Sequence, residues 1–145
     1  KRISNKFYKV LFIGENRIGY CKKNFSDIND WPYTEKEALS YFIDNMSFLN
    51  LKVKEIKIRP HPSEEISNYD WAKNKYEIIS QISKENELFK DIEDYEIILG
   101  CDSMALVIGI LCKKIVISSI PPCSEKCNLP FSEIIHLNKI VKERY

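Results

Sequence analysis

The chain has 145 residues, a length typical of one domain that can bury a hydrophobic core without disulfides. Its 22 basic and 21 acidic residues give a net charge of +1, so no overall basic field indicates binding to nucleic acid. No apolar run approaches the ~20 residues that span a bilayer, and five scattered cysteines do not resemble a disulfide framework, so we expect a soluble protein of a reducing cytoplasm.

The first third of the sequence predicts a buried strand and an amphipathic helix. Residues 6–13 form a β-branched and aromatic run that ends at Gly14, a pattern typical of a strand followed by a turn. Residues 22–33 are polar and predict a loop. Thr34 and Glu37 have the spacing of a capping box, and apolar residues then recur at helical intervals.

The next segment predicts a strand that ends in a rigid turn. Residues 53–58 alternate in polarity and continue into Arg59-Pro60-His61-Pro62, where each proline fixes φ and also favours an extended predecessor. The turn either presents His61 to a ligand or simply ends the strand. From Trp71 to Leu88, apolar residues among charges predict a solvated helix with one buried stripe.

The second half predicts alternating strands and helices. Residues 95–99, 115–118 and 133–137 predict strands, the last of them weak, while residues 104–112 predict a buried helix and residues 139–144 a final helical turn. This alternation predicts an α/β fold: a Rossmann-like, mainly parallel sheet of about five strands with helices on both faces. We expect residues 1–145 to form a single domain of this type.

Four predicted strands end in polar turns: Gly14-Glu15-Asn16-Arg17, Arg59-Pro60-His61-Pro62, Gly100-Cys101-Asp102-Ser103, and Ser118-Ser119 before Pro121-Pro122. Ligands of open parallel sheets bind outside the carboxyl ends of the strands, so these turns are expected to face one crevice. A buried helix that begins at Ser103 would offer free N–H groups to a phosphate, and His61 as an imidazolium would add a donor. Each turn alone could equally be a helix cap or a strand end.

Two other kinds of site have little support. The sequence has neither GxGxxG after the first strand nor GxxxxGK[ST], so the common dinucleotide and P-loop schemes are not indicated. Cys123, Cys127 and His136 could form part of a zinc site, but the tight C-x2-C spacing and a fourth ligand are missing. We therefore expect no metal.

The order of the motifs resembles the carboxyl-terminal, nucleotide-binding half of GT-B glycosyltransferases that build bacterial surface polysaccharides, most of all the sialyltransferase and polysialyltransferase-like group. Arg59-x-His61-Pro62 is followed about 40 residues later by Gly100-x-Asp102-Ser103-Met104-Ala105-Leu106, and then by Lys114-x-Val116-x-Ser118-Ser119-x-Pro121-Pro122. The resemblance covers roughly Ile56 to Pro122. Glycerophosphotransferases that use CDP-glycerol carry similar motifs, and UDP-sugar 2-epimerases share the overall fold.

The resemblance implies a CMP-sugar donor, with His61 as the catalytic residue that meets the donor phosphate as CMP leaves. It implies contacts from Ser118 and Ser119 to the phosphate or the ribose, and a helix start at Ser103 that faces the phosphate. The candidate nucleotide-binding residues are Gly14, Glu15, Asn16, Arg59, Pro62, Gly100, Asp102, Ser103, Met104, Ser118 and Ser119. The expected partners are the donor and a glycan or glycolipid acceptor, with no metal or other cofactor and no nucleic acid.

One departure from this group concerns the general base. The group carries an acidic motif in its amino-terminal half, and neither Asp-Asp-Gly nor Glu-Asp-Gly occurs here. Because the sequence also begins at Lys1 without an initiator methionine, we expect a fragment of a two-domain enzyme whose other half holds the base and acceptor site and whose full length contacts the membrane peripherally. The alternatives are a half-domain that uses CDP-glycerol and a non-catalytic nucleotide-binding module.

Overall fold

Strands and helices alternate along the chain in this computed structural model, which describes residues 6–144. The strands are β1 (Phe7–Ile13), β2 (Lys52–Arg59), β3 (Ile79–Ile82), β4 (Ile97–Gly100), β5 (Ile115–Ser118) and β6 (Ile135–His136). The helices are α1 (Arg17–Asn24), α2 (Glu35–Asn45), α3 (Asp70–Lys75), α4 (Leu88–Glu93), α5 (Met104–Leu111) and α6 (Leu137–Glu143). The predicted domain also included residues 1–5 and 145, which lie outside the described part.

The six strands form one sheet in the order β3-β2-β1-β4-β5-β6, and every pairing is parallel. The chain builds outward from β1 to β3 and then crosses to the other side of β1, so the order reverses between β1 and β4. This is the doubly wound order of Rossmann folds, whose ligands bind at such a reversal point. The α/β, Rossmann-like prediction is confirmed.

Strand alternation directs side chains into two cores, one on each face of the sheet. Val10 and Phe12 of β1 belong to the larger core, which α2, α3 and α6 cover, while Leu11 and Ile13 belong to the smaller core beneath α4 and α5. Such double coverage explains why β1, β4 and β5 are almost continuous apolar runs. Helices therefore lie on both faces, as predicted.

Two element predictions are wrong. Residues Ile79–Ile82 form β3, whose pairing with β2 decides their conformation, although their spacing from Trp71 and Tyr76 resembles a helical period. The sheet therefore has six strands rather than about five. The helix α1 covers part of the segment predicted as a loop, because the distant carboxylate of Glu35 accepts from its first N–H although the sequence has few helix signals of its own.

Other element predictions are confirmed. The capping box of Thr34 and Glu37 opens α2, and Thr34 N–H donates to Glu37 Oε1 at 2.8 Å. The units β4, α5 and β5 lie where the sequence predicted them. The predicted burial of α5 holds only for its middle, because Met104 and Leu111 at its ends are 66% and 75% exposed.

Candidate functional site

The predicted turns meet at the carboxyl edge of the sheet. Hydrogen bonds continue the strand pairings past the strand ends, from Gly14 N–H to the carbonyl of Arg59 at 2.9 Å and from Ser119 N–H to the carbonyl of Gly100 at 2.8 Å. The turn after β1 is thereby hydrogen-bonded to the turn after β2, and the turn after β5 to the turn after β4. The geometry brings two pairs of predicted motifs together.

His61 is exposed at the end of β2, and its ring is held from one side. Ser63 contacts His61 Nδ1 twice, through Oγ at 2.8 Å and through its N–H at 3.1 Å. The Asn16 side chain donates from Nδ2 to Ser63 Oγ at 2.8 Å. Asn16 and His61, both predicted site residues, are therefore joined through Ser63. Sequence reasoning missed Ser63, although its place two residues after His61 in a turn is typical of a serine that bonds locally.

Glu64 fixes the backbone beneath this histidine. Its Oε1 accepts from His61 N–H at 2.9 Å, and both its oxygens accept from the Tyr69 hydroxyl at 2.9 Å. Burial raises the pKa of Glu64. A Cβ on Gly14 would overlap Glu64 Oε1 and the Tyr69 oxygen, so this position needs glycine for packing.

Two carboxylates occupy amide donors at the point where the strand order reverses. Glu15 Oε2 accepts from the N–H of Cys101 at 3.1 Å and of Asp102 at 2.6 Å. Glu35, from α2, accepts from Glu15 N–H at 2.9 Å and from Arg17 N–H at 3.0 and 3.1 Å. Burial, together with the charges of Glu35 and Asp102, raises the pKa of Glu15 to about 7, although the two N–H bonds act to lower it. The carboxylates of Glu15 and Glu35 therefore occupy backbone N–H groups that could otherwise bind an anionic ligand.

The start of α5 keeps part of the predicted anion site. Ser103 is the N-cap, and its Oγ accepts from Ala105 N–H at 3.0 Å. Within residues 6–144 the N–H groups of Ser103 and Met104 have no acceptor, whereas Glu15 already binds the N–H of Asp102. An anion that binds here would therefore find two free backbone N–H groups, because the other N–H groups at the start of α5 are already bonded within the protein.

Ser118 and Ser119 differ despite being neighbours. Ser118 donates to the carbonyl of Cys101 at 2.6 Å. Ser119 is fully buried, and its hydroxyl has no partner in the described part of the chain. A polar cavity of about 290 Å³ lies beside Ser118; its lining includes Lys126, Cys127, His136, Asn138 and Lys139. The Ser118 hydroxyl is thus used in a hydrogen bond within the protein, while the Ser119 hydroxyl is a donor without an acceptor among residues 6–144.

Arg59 binds within the protein. Its Nη1 donates to Asp91 Oδ2 and to the carbonyl of Glu85, both at 2.7 Å, and its Nη2 donates to the carbonyl of Asn86 at 3.2 Å. Lys57 Nζ bonds the other oxygen of Asp91 at 2.7 Å. The guanidinium that the sequence suggested for phosphate binding is therefore engaged in fixing the end of β2. A cavity of about 300 Å³ lies beside it, and its lining includes Pro60, His61, Pro62, Ser83 and Lys84.

The loop after β5 folds back over the reversal point. Glu125 Oε1 lies 3.0 Å from Nη2 of Arg17, whose guanidinium stacks on the Tyr33 ring at 3.9 Å. Asn128 N–H donates to Asp102 Oδ1 at 2.8 Å. The loop therefore contacts both the residues that follow β1, through Arg17, and those that follow β4, through Asp102.

Residues 6–144 contain no cluster of three or more His, Cys, Asp or Glu side chains suited to a metal ion. All five cysteines are free thiols. No helix in the described segment is long and apolar enough to cross a membrane.

No protein-family model matches the chain, and no curated protein matches it in sequence. Among solved structures, the chain is similar to Thermosulfurimonas dismutans KpsC, described as a beta Kdo 2,4 transferase, with a TM-score of 0.47 and 16% identity. The match covers 86% of this chain and 40% of that chain, so this chain spans less than half of the KpsC structure.

Proposed function

We propose that this domain binds the CMP-sugar donor of an inverting, sialyltransferase-like glycosyltransferase that acts in the synthesis of bacterial surface polysaccharide or glycolipid. The observation that carries the proposal is the meeting of the His-Pro turn, the Ser103 helix start and the Ser118-Ser119 turn at one edge of a doubly wound sheet. These are the motifs on which the sequence resemblance depends. Their order around the reversal point suits a nucleotide.

In this proposal the chain stabilises the leaving group. An acceptor hydroxyl attacks the anomeric carbon, the bond from that carbon to the phosphate oxygen breaks, and the electron pair departs with CMP. His61 and the free N–H groups of Ser103 and Met104 would donate to the oxygens on which charge develops, a kind of stabilisation often worth several kcal/mol (about 3 to 4 for one donor). The Ser119 hydroxyl, which is buried and has no partner among residues 6–144, is a further candidate donor.

The acceptor's proton must go to a base outside these residues. The carboxylates near the site, those of buried Glu35 and partly buried Glu15 and Glu64, each accept two or more hydrogen bonds from the protein. They are used to fix the turns. We therefore assign the base and the acceptor site to another domain, and we expect the isolated chain to bind the nucleotide with little or no turnover.

Chemical-shift mapping with CMP tests this proposal. Amide signals of the isotopically labelled chain should shift at residues 61, 63, 102–105 and 118–120 during titration. Shifts confined to the opposite edge of the sheet, or no shifts at millimolar CMP, would contradict it.

A second candidate has one supporting observation. The cavity beside Ser118 carries Lys126 and Lys139, which could receive the second phosphate of a CDP-alcohol. Competition distinguishes the two: a CMP-sugar should displace bound CMP more effectively than CDP-glycerol if the first proposal holds, and the reverse order favours glycerophosphate transfer. Binding without turnover in the full-length protein would indicate a non-catalytic module.

A further inference from the structure

The orientation of the Asn16 amide follows from its two contacts. Asn16 is the N-cap of α1 in the left-handed region, with φ 55° and ψ 50°, and its Oδ1 accepts from Gly19 N–H at 3.2 Å. A backbone N–H can only donate, so the group facing Gly19 must be the oxygen. The amide nitrogen is consequently the group that faces Ser63, and it donates to Ser63 Oγ at 2.8 Å.

The direction of the next hydrogen bond follows in the same way. Because Ser63 Oγ accepts from Asn16, its single proton is available for His61 Nδ1, 2.8 Å away. The Ser63 N–H also points at Nδ1, at 3.1 Å, and it is a fixed donor. Two donors therefore meet at Nδ1, which must act as an acceptor.

We propose that Asn16 and Ser63 are positioning residues that hold neutral His61 in the tautomer with its proton on Nε2. The Nε2–H is then the donor that the ring offers to the ligand, in place of the imidazolium expected from the sequence. The identity of that ligand as a donor phosphate rests on the proposed function. The tautomer itself is a property of the free protein, and it can be tested without any ligand.

The backbone contacts support the same orientation. His61 lies between Pro60 and Pro62, and its own N–H is bonded to Glu64. With the backbone fixed on one side and Nδ1 bonded on the other, the ring has little freedom to exchange its two nitrogens. Neither Asn16 nor Ser63 needs to touch the ligand for this effect.

Long-range ¹H–¹⁵N correlation spectra of the free, labelled protein at alkaline pH provide the test. The His61 ring should show the pattern of a protonated Nε2 and an unprotonated Nδ1. In Ser63→Ala and Asn16→Asp the population of the other tautomer should rise, since Asn16→Asp keeps the acceptor for Gly19 but removes the donor to Ser63. Ser63→Thr should restore the wild-type pattern, and Ser67→Ala, on an exposed serine nearby, should leave it unchanged.

A wild-type ring protonated on Nδ1, or a tautomer that neither variant changes, would overturn the proposal. CMP titration of the same variants separates this inference from the proposed function. We expect Ser63→Ala to weaken CMP binding by roughly two- to tenfold, the range of one lost hydrogen bond. If wild-type protein shows the Nε2–H pattern but does not bind CMP, the proposed function fails and the tautomer assignment stands.

Discussion

Glu15 Oε2 accepts a 2.6 Å hydrogen bond from the N–H of Asp102, across the point where the strand order reverses. Doubly wound folds commonly bind a ligand's anionic group at such a point. Here a side chain of the protein takes that position. Under the proposed function, the nucleotide phosphate would bind beside it, between the start of α5 and His61.

The raised pKa of Glu15 gives stability a specific pH dependence. A group whose pKa rises on folding, here from 4.5 to about 7, stabilises the fold below its unfolded pKa, and this contribution is lost as pH rises through 7. The free energy of unfolding should therefore fall between about pH 5 and about pH 8, by up to about 3 kcal/mol. Glu15→Gln should flatten this dependence in urea denaturation.

The matched control for that experiment is Glu133→Gln, at an exposed carboxylate, which should keep the wild-type slope. Burial also raises the pKa of Glu64, so Glu15→Gln should leave a small residual dependence of the same sign. An unchanged slope in Glu15→Gln would show that Glu15 does not titrate in this range.

The neighbouring serines predict opposite results for the same substitution. Ser118→Ala removes the 2.6 Å hydrogen bond to Cys101 and leaves a buried carbonyl with one partner fewer, so it should cost about 1 to 2 kcal/mol. Ser119→Ala removes a buried hydroxyl that has no partner among the described residues, so it should leave the free energy of unfolding unchanged or raise it. Urea denaturation of the two variants checks this, and equal losses would contradict the assignment.

Asp91 stabilises the end of β2 through two cations. Burial acts to raise its pKa, but hydrogen bonds from Lys57, Ser83 and Arg59 together hold it below the usual 3.8. Asp91→Asn would leave two half-buried cations without a counter-charge and should cost about 3 kcal/mol. Because a depressed pKa stabilises the fold above the unfolded value, the wild type should lose this contribution below about pH 4.

The control for Asp91→Asn is Asp44→Asn, at an exposed position of α2, which should have little effect. Denaturant titrations at neutral pH compare the two variants directly. A loss below about 1 kcal/mol in Asp91→Asn would mean that solvent, rather than Asp91, balances Lys57 and Arg59.

The fold class can be predicted from the sequence because it depends on local patterns, and the same patterns mark the candidate site. A few consecutive residues are enough to recognise the buried run of β1, the capping box at Thr34 and the polar turns after four strands. Strand β3 cannot be recognised in this way, because its isoleucines fit a helical period and only the pairing with β2 makes them a strand. Edge strands of this kind depend on tertiary contacts.

The details of the site depend on partners far apart in sequence. Glu35 caps amides eighteen and twenty residues before it, Glu15 reaches residues 101 and 102, and Arg59 pairs with Asp91. No local pattern marks these contacts. The sequence therefore marks His61 only as a candidate site residue, and it does not reveal that Arg59 is bonded to Asp91, Glu85 and Asn86.

Calorimetric titration with CMP tests the central claim most directly. The wild-type chain should show saturable binding, His61→Ala should bind at least roughly tenfold more weakly, and Lys54→Ala, at the opposite end of β2, should match the wild type. No saturable heat with wild-type protein, or the same affinity in His61→Ala, would contradict the account.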